Sequence, residues 1–299
     1  KIFPKIHSEG YKFLAIAIIV TIFLYFLSTF LGLIGLVLSI WVYYFFRDPE
    51  RISINDVNYL TRMDDVYRFI AHAGGEIDKI TYTNSKNSLD LFYKKGYKLF
   101  ELDILETSDG HLVAAHDWND WKKITTYEGE LPPTLDDFKR HLLHGKYTPL
   151  TIKDISKWFK IHEDAILVTD KINDPEKFVK YFVFKDRLMM ELFTKEAVIK
   201  GLELNILSSM PSWNVIKGFG GKALKTVKQL GIKNIALSKT DIKENFDLIY
   251  QLKMSGVKTY LFNIHFENAK GETGIACDYF NLIYGFYVDN LDMNNVECN

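Results

Sequence analysis

The chain has 299 residues and a formal net charge of −1 at pH 7, a length that fits one large domain with an appendage, or two small domains. Lysine and arginine residues are spread along the sequence and form no stripe with aromatic residues, which excludes a basic nucleic-acid-binding surface. Two cysteines occur, Cys277 and Cys298. They lack metal-ligand spacing, so we interpret them as ordinary thiols and exclude a disulfide framework.

The first fifty residues are predicted to enter a membrane. No charged residue occurs from Phe13 to Phe46, and one helix over this stretch would be about 51 Å long, too long for a single crossing of a ~30 Å hydrocarbon core. We therefore predict a transmembrane or re-entrant helical hairpin that anchors the chain in a membrane. The hairpin spans 1–51, with arms near 11–27 and 30–46 and a turn at Ser28 and Thr29.

Basic residues flank this apolar stretch at both ends. They are Lys1, Lys5, Lys12, Arg47 and Arg51. By the positive-inside tendency both ends of the hairpin face the cytoplasm, which puts the remaining chain on that side. A single tilted crossing would put the remaining chain on the opposite side. A cleaved signal peptide would need a shorter apolar core and a small-residue cleavage site, and the sequence shows neither.

Two motifs frame the apolar stretch. They are Phe3-Pro4-Lys5-Ile6-His7-Ser8-Glu9-Gly10-Tyr11 and Tyr44-Phe45-Phe46-Arg47-Asp48-Pro49-Glu50-Arg51. Residues 1–55 resemble the N-terminal membrane segment of bacterial phosphatidylserine decarboxylase proenzymes. That family forms its pyruvoyl group by cleavage at a Gly-Ser pair, and no Gly-Ser dipeptide occurs in this chain. The resemblance therefore implies an anchor in the bacterial inner membrane without decarboxylase chemistry.

A polar linker is predicted at 52–66, and beyond it β-rich runs alternate with helical stretches, the pattern of a parallel α/β sheet. Candidate strands are 67–72, 98–104, 111–116, 164–170, 187–193, 203–208, 233–238, 257–264 and 281–288. Candidate helices are 84–95, 151–161, 174–182, 194–200, 211–230 and 242–255. We predict a (β/α)₈ TIM-type barrel over 67–290, with an insertion at 118–150 and a tail at 291–299. Nine strand candidates for eight barrel places imply that one is wrong, and the weakest are Arg187–Phe193 and Glu203–Ser208.

Four side chains at the ends of the first three predicted strands suit catalysis. Glu101 and Asp103 lie on one face of a strand about 7 Å apart, and paired carboxylates suit a hard divalent cation such as Mg²⁺ or Ca²⁺. His72 and His116 end the neighbouring strands with imidazoles that transfer protons near neutral pH. A barrel of this type keeps its active site at the C-terminal ends of its strands. The joint occurrence of the four residues predicts an active site there.

Short motifs over 67–290 resemble those of glycerophosphodiester phosphodiesterases and related phospholipase D-like barrels. They are His72-Ala73-Gly74, Thr83-Asn84-Ser85, Glu101-Leu102-Asp103, Thr107-Ser108-Asp109-Gly110 and His116-Asp117, followed by Leu167–Lys171, Val257–Asn263 and Tyr287–Asp289. The resemblance implies Glu101, Asp103 and Asp170 as metal ligands and His72 and His116 as the acid/base pair. It implies Lys171 as a phosphate contact, and we add Asn84, Glu191 and Asn263 as candidate substrate-binding residues.

Three of these candidates depend on local geometry. Lys171 follows Asp170 directly, so on a regular strand it would point to the opposite face. Glu191 reaches the pocket only if 187–193 is a barrel strand, since otherwise it lies on a surface helix. Asn263 is equally compatible with a role in loop capping.

Two positions depart from the family pattern. Ala73 stands where the family has an arginine that grips phosphate, and Thr83 stands where it has a glutamate near the metal. We predict a membrane-anchored, metal-dependent phosphodiesterase that hydrolyses glycerophosphodiesters or lysophospholipid-like substrates by His/His acid–base catalysis. One alternative is a phospholipase D-like head-group hydrolase, and the apolarity of the folded 118–150 insertion separates the two. The other is a catalytically silent lipid-binding barrel, favoured by the losses at 73 and 83.

Overall fold

The computed structural model describes most of the chain beyond residue 64 and a few residues before it. The described residues are 17–22, 24–26, 28–29, 32, 65–264, 271–293, 296 and 298. The chain divides into two compact units, Lys1–Tyr59 and Leu60–Asn299.

In the first unit the described residues are helical and exposed. Ser28 and Thr29, where a turn was predicted, belong to this helical stretch, and both hydroxyls donate to the carbonyl oxygen of Tyr25, at 2.9 and 3.0 Å. The predicted position of the turn is therefore wrong. Most of the two predicted arms, and the linker at 52–66 up to residue 64, lie outside the described residues. Within the described part of the chain, no helix is both long enough and apolar enough for a membrane span.

The second unit is a (β/α)₈ barrel of the TIM type. Its strands are β1 (Phe69–Ala71), β2 (Leu99–Glu106), β4 (Ile166–Asp170), β5 (Leu188–Leu192), β6 (Ser208–Pro211), β7 (Asn234–Ser238), β8 (Lys258–Phe262) and β9 (Gly285–Val288), with β3 (Leu112–Ala114) outside the ring. The barrel strands are parallel and follow the order β6-β5-β4-β2-β1-β9-β8-β7. One bridge, between Ser212 and Ala236, links the ends of this path, so the barrel part of the predicted fold class is confirmed.

Helices cover the outside of the barrel and build the excursion between β2 and β4. They are α1 (Lys86–Lys94), α2 (Trp118–Thr125), α3 (Leu135–Arg140), α4 (Ile152–Ile161), α5 (Pro175–Val179), α6 (Lys195–Glu203), α7 (Trp213–Gly218), α8 (Ala223–Leu230), α9 (Ile242–Met254) and α10 (Gly271–Tyr279). Short 3₁₀ turns occur at Val66–Arg68, His72–Gly74, Lys185–Arg187, Gly220–Lys222 and Lys239–Asp241. Polar side chains begin several helices; Ser85 caps α1, for example, by accepting from the Ser88 N–H, which fixes where the loop after the first strand ends.

The side chains of β2 alternate between the barrel interior and the surrounding helices, and this alternation sets the position of the candidate site. Leu99 packs in a cluster with Ile70, Val168 and Met189 from neighbouring strands, whereas the intervening Phe100 belongs to the main core with helices such as α4. Residues two apart on a strand share a face. Glu101 and Asp103 therefore continue the Leu99 row and rise from the packed floor of the barrel toward its C-terminal rim.

Three predicted elements differ from the structure. The run 111–116 supplies β3, which pairs antiparallel with the end of β2 and is not part of the ring. The predicted strand Arg187–Phe193, by contrast, is confirmed, since it contains the barrel strand β5. The prediction at 203–208 is wrong: Glu203 ends α6 and the strand begins only at Ser208. The predicted helix at 211–230 is divided into α7 and α8 by a 3₁₀ turn.

Cys277 and Cys298 form a disulfide, with their Cα atoms 5.3 Å apart. The interpretation of these residues as ordinary thiols is wrong. The bond joins α10 to the C-terminal tail, and a separation of 21 residues gave no local pattern from which to pair them.

Candidate active site

Two carboxylates of β2 form the floor of the candidate site. Glu101 and Asp103 are only 1% and 2% exposed. The backbone N–H of Ala73 donates to Glu101 Oε2 at 2.7 Å. Asn84 donates from Nδ2 to Asp103 Oδ2 and accepts the Asp103 N–H at Oδ1, both at 2.9 Å. The loop after β1 thus fixes the orientation of both carboxylates.

Asn84 has a different role from the substrate contact that we predicted. It is fully buried, and both ends of its amide bind Asp103. It is not among the residues that line the cavity shared by the carboxylates and the two predicted histidines. Asn84 therefore positions a carboxylate and does not line this cavity.

Asp170, at the end of β4, completes a cage of three carboxylates. One oxygen from each of Glu101, Asp103 and Asp170 lies within 4.8 Å of the others. Burial raises the pKa of Glu101 well above its usual range, and the charges of Asp103 and Asp170 raise it further. Burial likewise raises the pKa of Asp103. Negative charges held this close favour a positive charge among them.

The three carboxylates fit a hard divalent cation. Glu101 Oε1 is buried and has no hydrogen-bond partner in the part of the chain that the structure describes. An orphaned buried carboxylate oxygen is costly unless something positive binds it. Oxygen donors on two adjacent strands are also the ligand type that Mg²⁺ and Ca²⁺ prefer.

Lys171 reaches the cage, contrary to the direction expected on a regular strand. The strand ends at Asp170, and the backbone of Lys171 beyond it is left-handed, with φ of 67°. The Lys171 ammonium consequently lies 3.7 Å from Asp103 Oδ1 and 3.4 Å from Asp170 Oδ2. Burial alone would lower the pKa of Lys171, but the charges of Asp170 and Asp103 outweigh it and raise that pKa.

Each of the two predicted histidines is held by a carboxylate. His72 Nδ1 lies 3.0 Å from Asp289 Oδ1, beyond the end of β9. His116 Nδ1 lies 3.3 Å from Asp117 Oδ2. A carboxylate on Nδ1 fixes the tautomer and orientation of an imidazole. The structure thus brings both histidines to the same rim as the carboxylate cage.

Tyr82 lies between the two histidines and was not predicted as a site residue. Its ring centroid is 4.6 Å from that of His72 and 4.8 Å from that of His116, both edge-to-face. Burial raises the pKa of Tyr82, as do the nearby charges of Asp289, Asp103 and Glu101. The only sequence signal was an aromatic residue directly before the Thr83-Asn84-Ser85 motif.

One cavity of about 370 Å³, here called the catalytic cavity after its candidate catalytic residues, contains these groups. Besides both histidines, Tyr82, the cage and Lys171, its lining includes Glu191, Phe193, Trp213, Asn263 and Tyr287. Glu191 is buried on the barrel strand β5, which excludes the surface-helix alternative, and accepts a hydrogen bond from the Tyr287 hydroxyl. Burial raises the pKa of Glu191 well above its usual range. Asn263 lies at the end of β8 and donates to Ser238 Oγ at 3.4 Å.

The two departures from the family pattern occupy buried turns. Ala73 is fully buried with φ of 46°, and its contact with the cage is made by its backbone N–H. The Thr83 hydroxyl lies 3.0 Å from Ser85 Oγ and 3.2 Å from Ser88 Oγ. Thr83 therefore ties the loop to α1 and supplies no charge to the site.

No protein-family model matches the sequence. Among solved structures, a glycerophosphodiester phosphodiesterase from Parabacteroides distasonis is similar with a TM-score of 0.57 and 18% identity, covering 74% of this chain and 92% of that one. An Oleispira antarctica phosphodiesterase, solved with the product sn-glycerol-3-phosphate, has a TM-score of 0.54 and 17% identity, covering 77% and 97% of the two chains. These likenesses show the fold.

The N-terminal part of the chain has a different relative. It is 85% identical over 72 residues to the phosphatidylserine decarboxylase proenzyme of Pelagibacter ubique, a match that covers 24% of this chain and 34% of that protein. The chain spans about a third of the length of the curated relatives that it matches. Both resemblances predicted from the sequence are confirmed: a decarboxylase-like N-terminal segment precedes a barrel with the fold of glycerophosphodiester phosphodiesterases.

Proposed function

We propose that the barrel is a metal-dependent phosphodiesterase that hydrolyses glycerophosphodiesters or lysophospholipid-like substrates. One observation carries the proposal. His72 and His116, each held by a carboxylate, line a single cavity with the cage of Glu101, Asp103 and Asp170. This combination suits phosphodiester hydrolysis, in which a cation can neutralise the anionic phosphate while one proton leaves the nucleophile and another reaches the leaving group.

Glu101, Asp103 and Asp170 would hold the divalent cation. When bound, Mg²⁺ or Ca²⁺ would neutralise a non-bridging phosphate oxygen. The Ala73 N–H and Asn84 keep two of these carboxylates in place. The chain thus supplies a preorganised set of oxygen donors on rigid strands.

His72 and His116 would move the protons. Asp289 and Asp117 engage their Nδ1 atoms, so we assign proton transfer to Nε2 in each ring. One imidazole takes the proton from the attacking hydroxyl, which belongs to water or to the substrate itself, and the other protonates the departing alkoxide. Tyr82 packs against both rings and restricts their rotation.

Lys171 would contact the phosphate in place of the arginine that is absent at position 73. Its ammonium already lies at the mouth of the cage and is half-exposed to the cavity. An ammonium binds phosphate as a point charge and lacks the bidentate geometry of a guanidinium. We therefore expect weaker ground-state binding of phosphate than an arginine would give.

Choline release from glycerophosphocholine tests the proposal. The full chain in detergent is assayed with Mg²⁺ or Ca²⁺ and again with chelator, alongside His116→Ala and Glu101→Ala. His162→Ala is the matched control, since His162 stacks on Trp158 away from the cavity. We expect activity only with metal, retained in the control and lost in the two site variants. Metal-independent activity, or full activity in both site variants, contradicts the mechanism.

We propose that the N-terminal segment tethers the barrel to the bacterial inner membrane. The apolar stretch without charge and the likeness to a decarboxylase proenzyme support this. Tethering raises the local concentration of lipid-derived substrates without a new contact in the pocket. The flanking basic residues favour a barrel on the cytoplasmic side.

The Cys277–Cys298 disulfide bears on that side of the membrane. Structural disulfides persist in oxidising compartments such as the bacterial periplasm and are rare in the cytosol. The disulfide of the structure thus favours an oxidising compartment, whereas the flanking basic residues favour the cytoplasm, where the pair would be reduced. The redox state of the pair, measured in intact cells, decides between the two sides.

A further inference from the structure

A second cavity, here called the outer cavity, opens directly beside the catalytic cavity. Its volume is about 770 Å³, against about 370 Å³ for the catalytic cavity. Tyr82, His116 and Asn263 line both. A ligand that lies against His116 therefore has room to continue from one cavity into the other.

One wall of the outer cavity is apolar. Ile80, Trp121, Ile124 and Leu143 line it, with Ala115 at its base. All five belong to a small hydrophobic core, separate from the barrel core, that the excursion between β2 and β4 builds with the loop before α1. This core holds the wall in place.

Packing within the small core makes the cavity preformed. Trp121 stacks on Phe138, with ring centroids 5.5 Å apart and an interplanar angle of 18°. Trp121 and Leu143 are almost fully buried, and Ile80 and Ile124 are half-buried at the cavity surface. An apolar ligand that enters such a cavity gains burial without first ordering the protein.

The two cavities differ sharply in chemistry. The catalytic cavity is lined by the Lys171 ammonium and by five carboxyl side chains, those of Glu101, Asp103, Asp170, Glu191 and Asp241. In the outer cavity the lysine and carboxyl side chains are Lys79 and Asp120, which are exposed, and Asp117, which is half-buried against His116. A ligand that fills both cavities has a phosphodiester at one end and a hydrocarbon at the other. A polar head group such as choline would leave most of the larger cavity unfilled.

We propose that the outer cavity binds the acyl chain of a single-chain lysophospholipid whose phosphodiester lies in the catalytic cavity. This inference rests on the proposed phosphodiesterase function and names its preferred substrate class. Tyr82 and His116 then form the boundary between the reacting phosphate and the chain. Burial of apolar substrate surface in the wall increases the logarithm of kcat/KM in proportion to the length of chain that is covered.

A chain-length series tests the proposal. Choline release is measured from glycerophosphocholine and from its sn-1-acyl derivatives, from acetyl to decanoyl, each below its micellar concentration. We expect kcat/KM to rise about fourfold for each methylene group until the cavity is filled, the gain typical of a buried methylene. Two single variants on separate segments, Ile80→Ser and Ile124→Ser, should flatten this rise. Ile161→Ser is the control, because Ile161 is 76% exposed and lines neither cavity.

The outcomes separate this inference from the function on which it rests. Comparing long with short chains within each variant removes any general loss of folded protein. Cleavage of glycerophosphocholine with no dependence on chain length overturns the acyl-chain site and leaves the phosphodiesterase intact. An unchanged slope in both variants also overturns it. Failure to cleave any substrate, with either metal, instead contradicts the phosphodiesterase itself.

Discussion

Replacing Glu101 with glutamine is expected to make the metal-free protein more stable while abolishing its response to metal. Glu101 is buried within 4.8 Å of two other carboxylates, and without a cation their repulsion opposes folding. Glutamine keeps the shape of the side chain and still accepts the Ala73 N–H. Its amide nitrogen also places a donor near the remaining carboxylates. The metal-free variant should therefore unfold at a higher temperature than the metal-free wild type.

The size of the metal effect follows from binding linkage. A cation at 100 times its Kd adds about 2.7 kcal/mol to the stability of the folded state. In a domain of the size of Leu60–Asn299, each kcal/mol shifts Tm by about 2–4 °C. The wild type should therefore gain roughly 5–11 °C with saturating Mg²⁺ or Ca²⁺. Glu101→Gln should gain little, because one of three ligands and one charge are gone.

Thermal unfolding of the full chain in detergent measures both effects, first with chelator and then with metal. Glu106→Gln is the matched control. Glu106 ends the same strand, but it is exposed and pairs with Lys177 at 2.6 Å, so its replacement should leave the metal shift unchanged. An equal metal shift in Glu101→Gln and wild type would place the cation elsewhere. A metal-free Glu101→Gln that unfolds below the wild type would refute the repulsion argument.

Three further outcomes are expected. His116→Asn should lower kcat for glycerophosphocholine by about 10²–10⁴-fold through loss of proton transfer, with KM little changed and with His162→Asn as an active control. Lys171→Met should tighten metal binding, seen in calorimetric titration, because it removes a competing cation from the cage. It should also raise KM by about 10–100-fold through loss of a charge-assisted phosphate contact. If the barrel is cytoplasmic, Cys277 and Cys298 should be free thiols and should react with a maleimide that is added at cell lysis without reductant. Reaction only after a reductant has been added would contradict the cytoplasmic side.

Much of the barrel could be predicted from the sequence, because strands buried on both faces read as short β-rich runs between amphipathic helices. The failures have local causes. The run 111–116 has the composition of a strand, but composition does not specify whether a strand pairs in a parallel or an antiparallel way. Strand β6, Ser208–Pro211, is short and contains two serines and a proline. We therefore predicted the strand too early, over the more aliphatic residues 203–208.

The site was predictable where neighbours in sequence are also neighbours in space. The two-residue spacing of Glu101 and Asp103 placed both carboxylates on one face, as the structure has them. The direction of Lys171 was not predictable, since it depends on a left-handed residue after the strand. The pairing of His72 with Asp289 joins the first and last strands of the ring, and such contacts follow from barrel closure rather than from local sequence.

Ala73 and Thr83 replace the arginine and the glutamate of the family pattern, but the carboxylate cage is intact. This argues against the alternative of a catalytically silent lipid-binding barrel. Relative to the family pattern, one positive and one negative side chain are absent, so the local charge balance is retained. The Ala73 N–H still orients Glu101, and the Thr83 hydroxyl still anchors the loop. Lys171 supplies a cation at the mouth of the cage.

A barrel that only bound lipid would need the outer cavity and one positive charge. It would have no use for buried carboxylates whose repulsion opposes folding, nor for two imidazoles that are each oriented through Nδ1 by a carboxylate. Destabilising arrangements of this kind persist where the chemistry requires them. If Glu101→Gln is more stable without metal and also inactive, the cage is retained for catalysis. If the variant is more stable and its lipid binding is unchanged in a protein that has no activity, the silent barrel is the correct description.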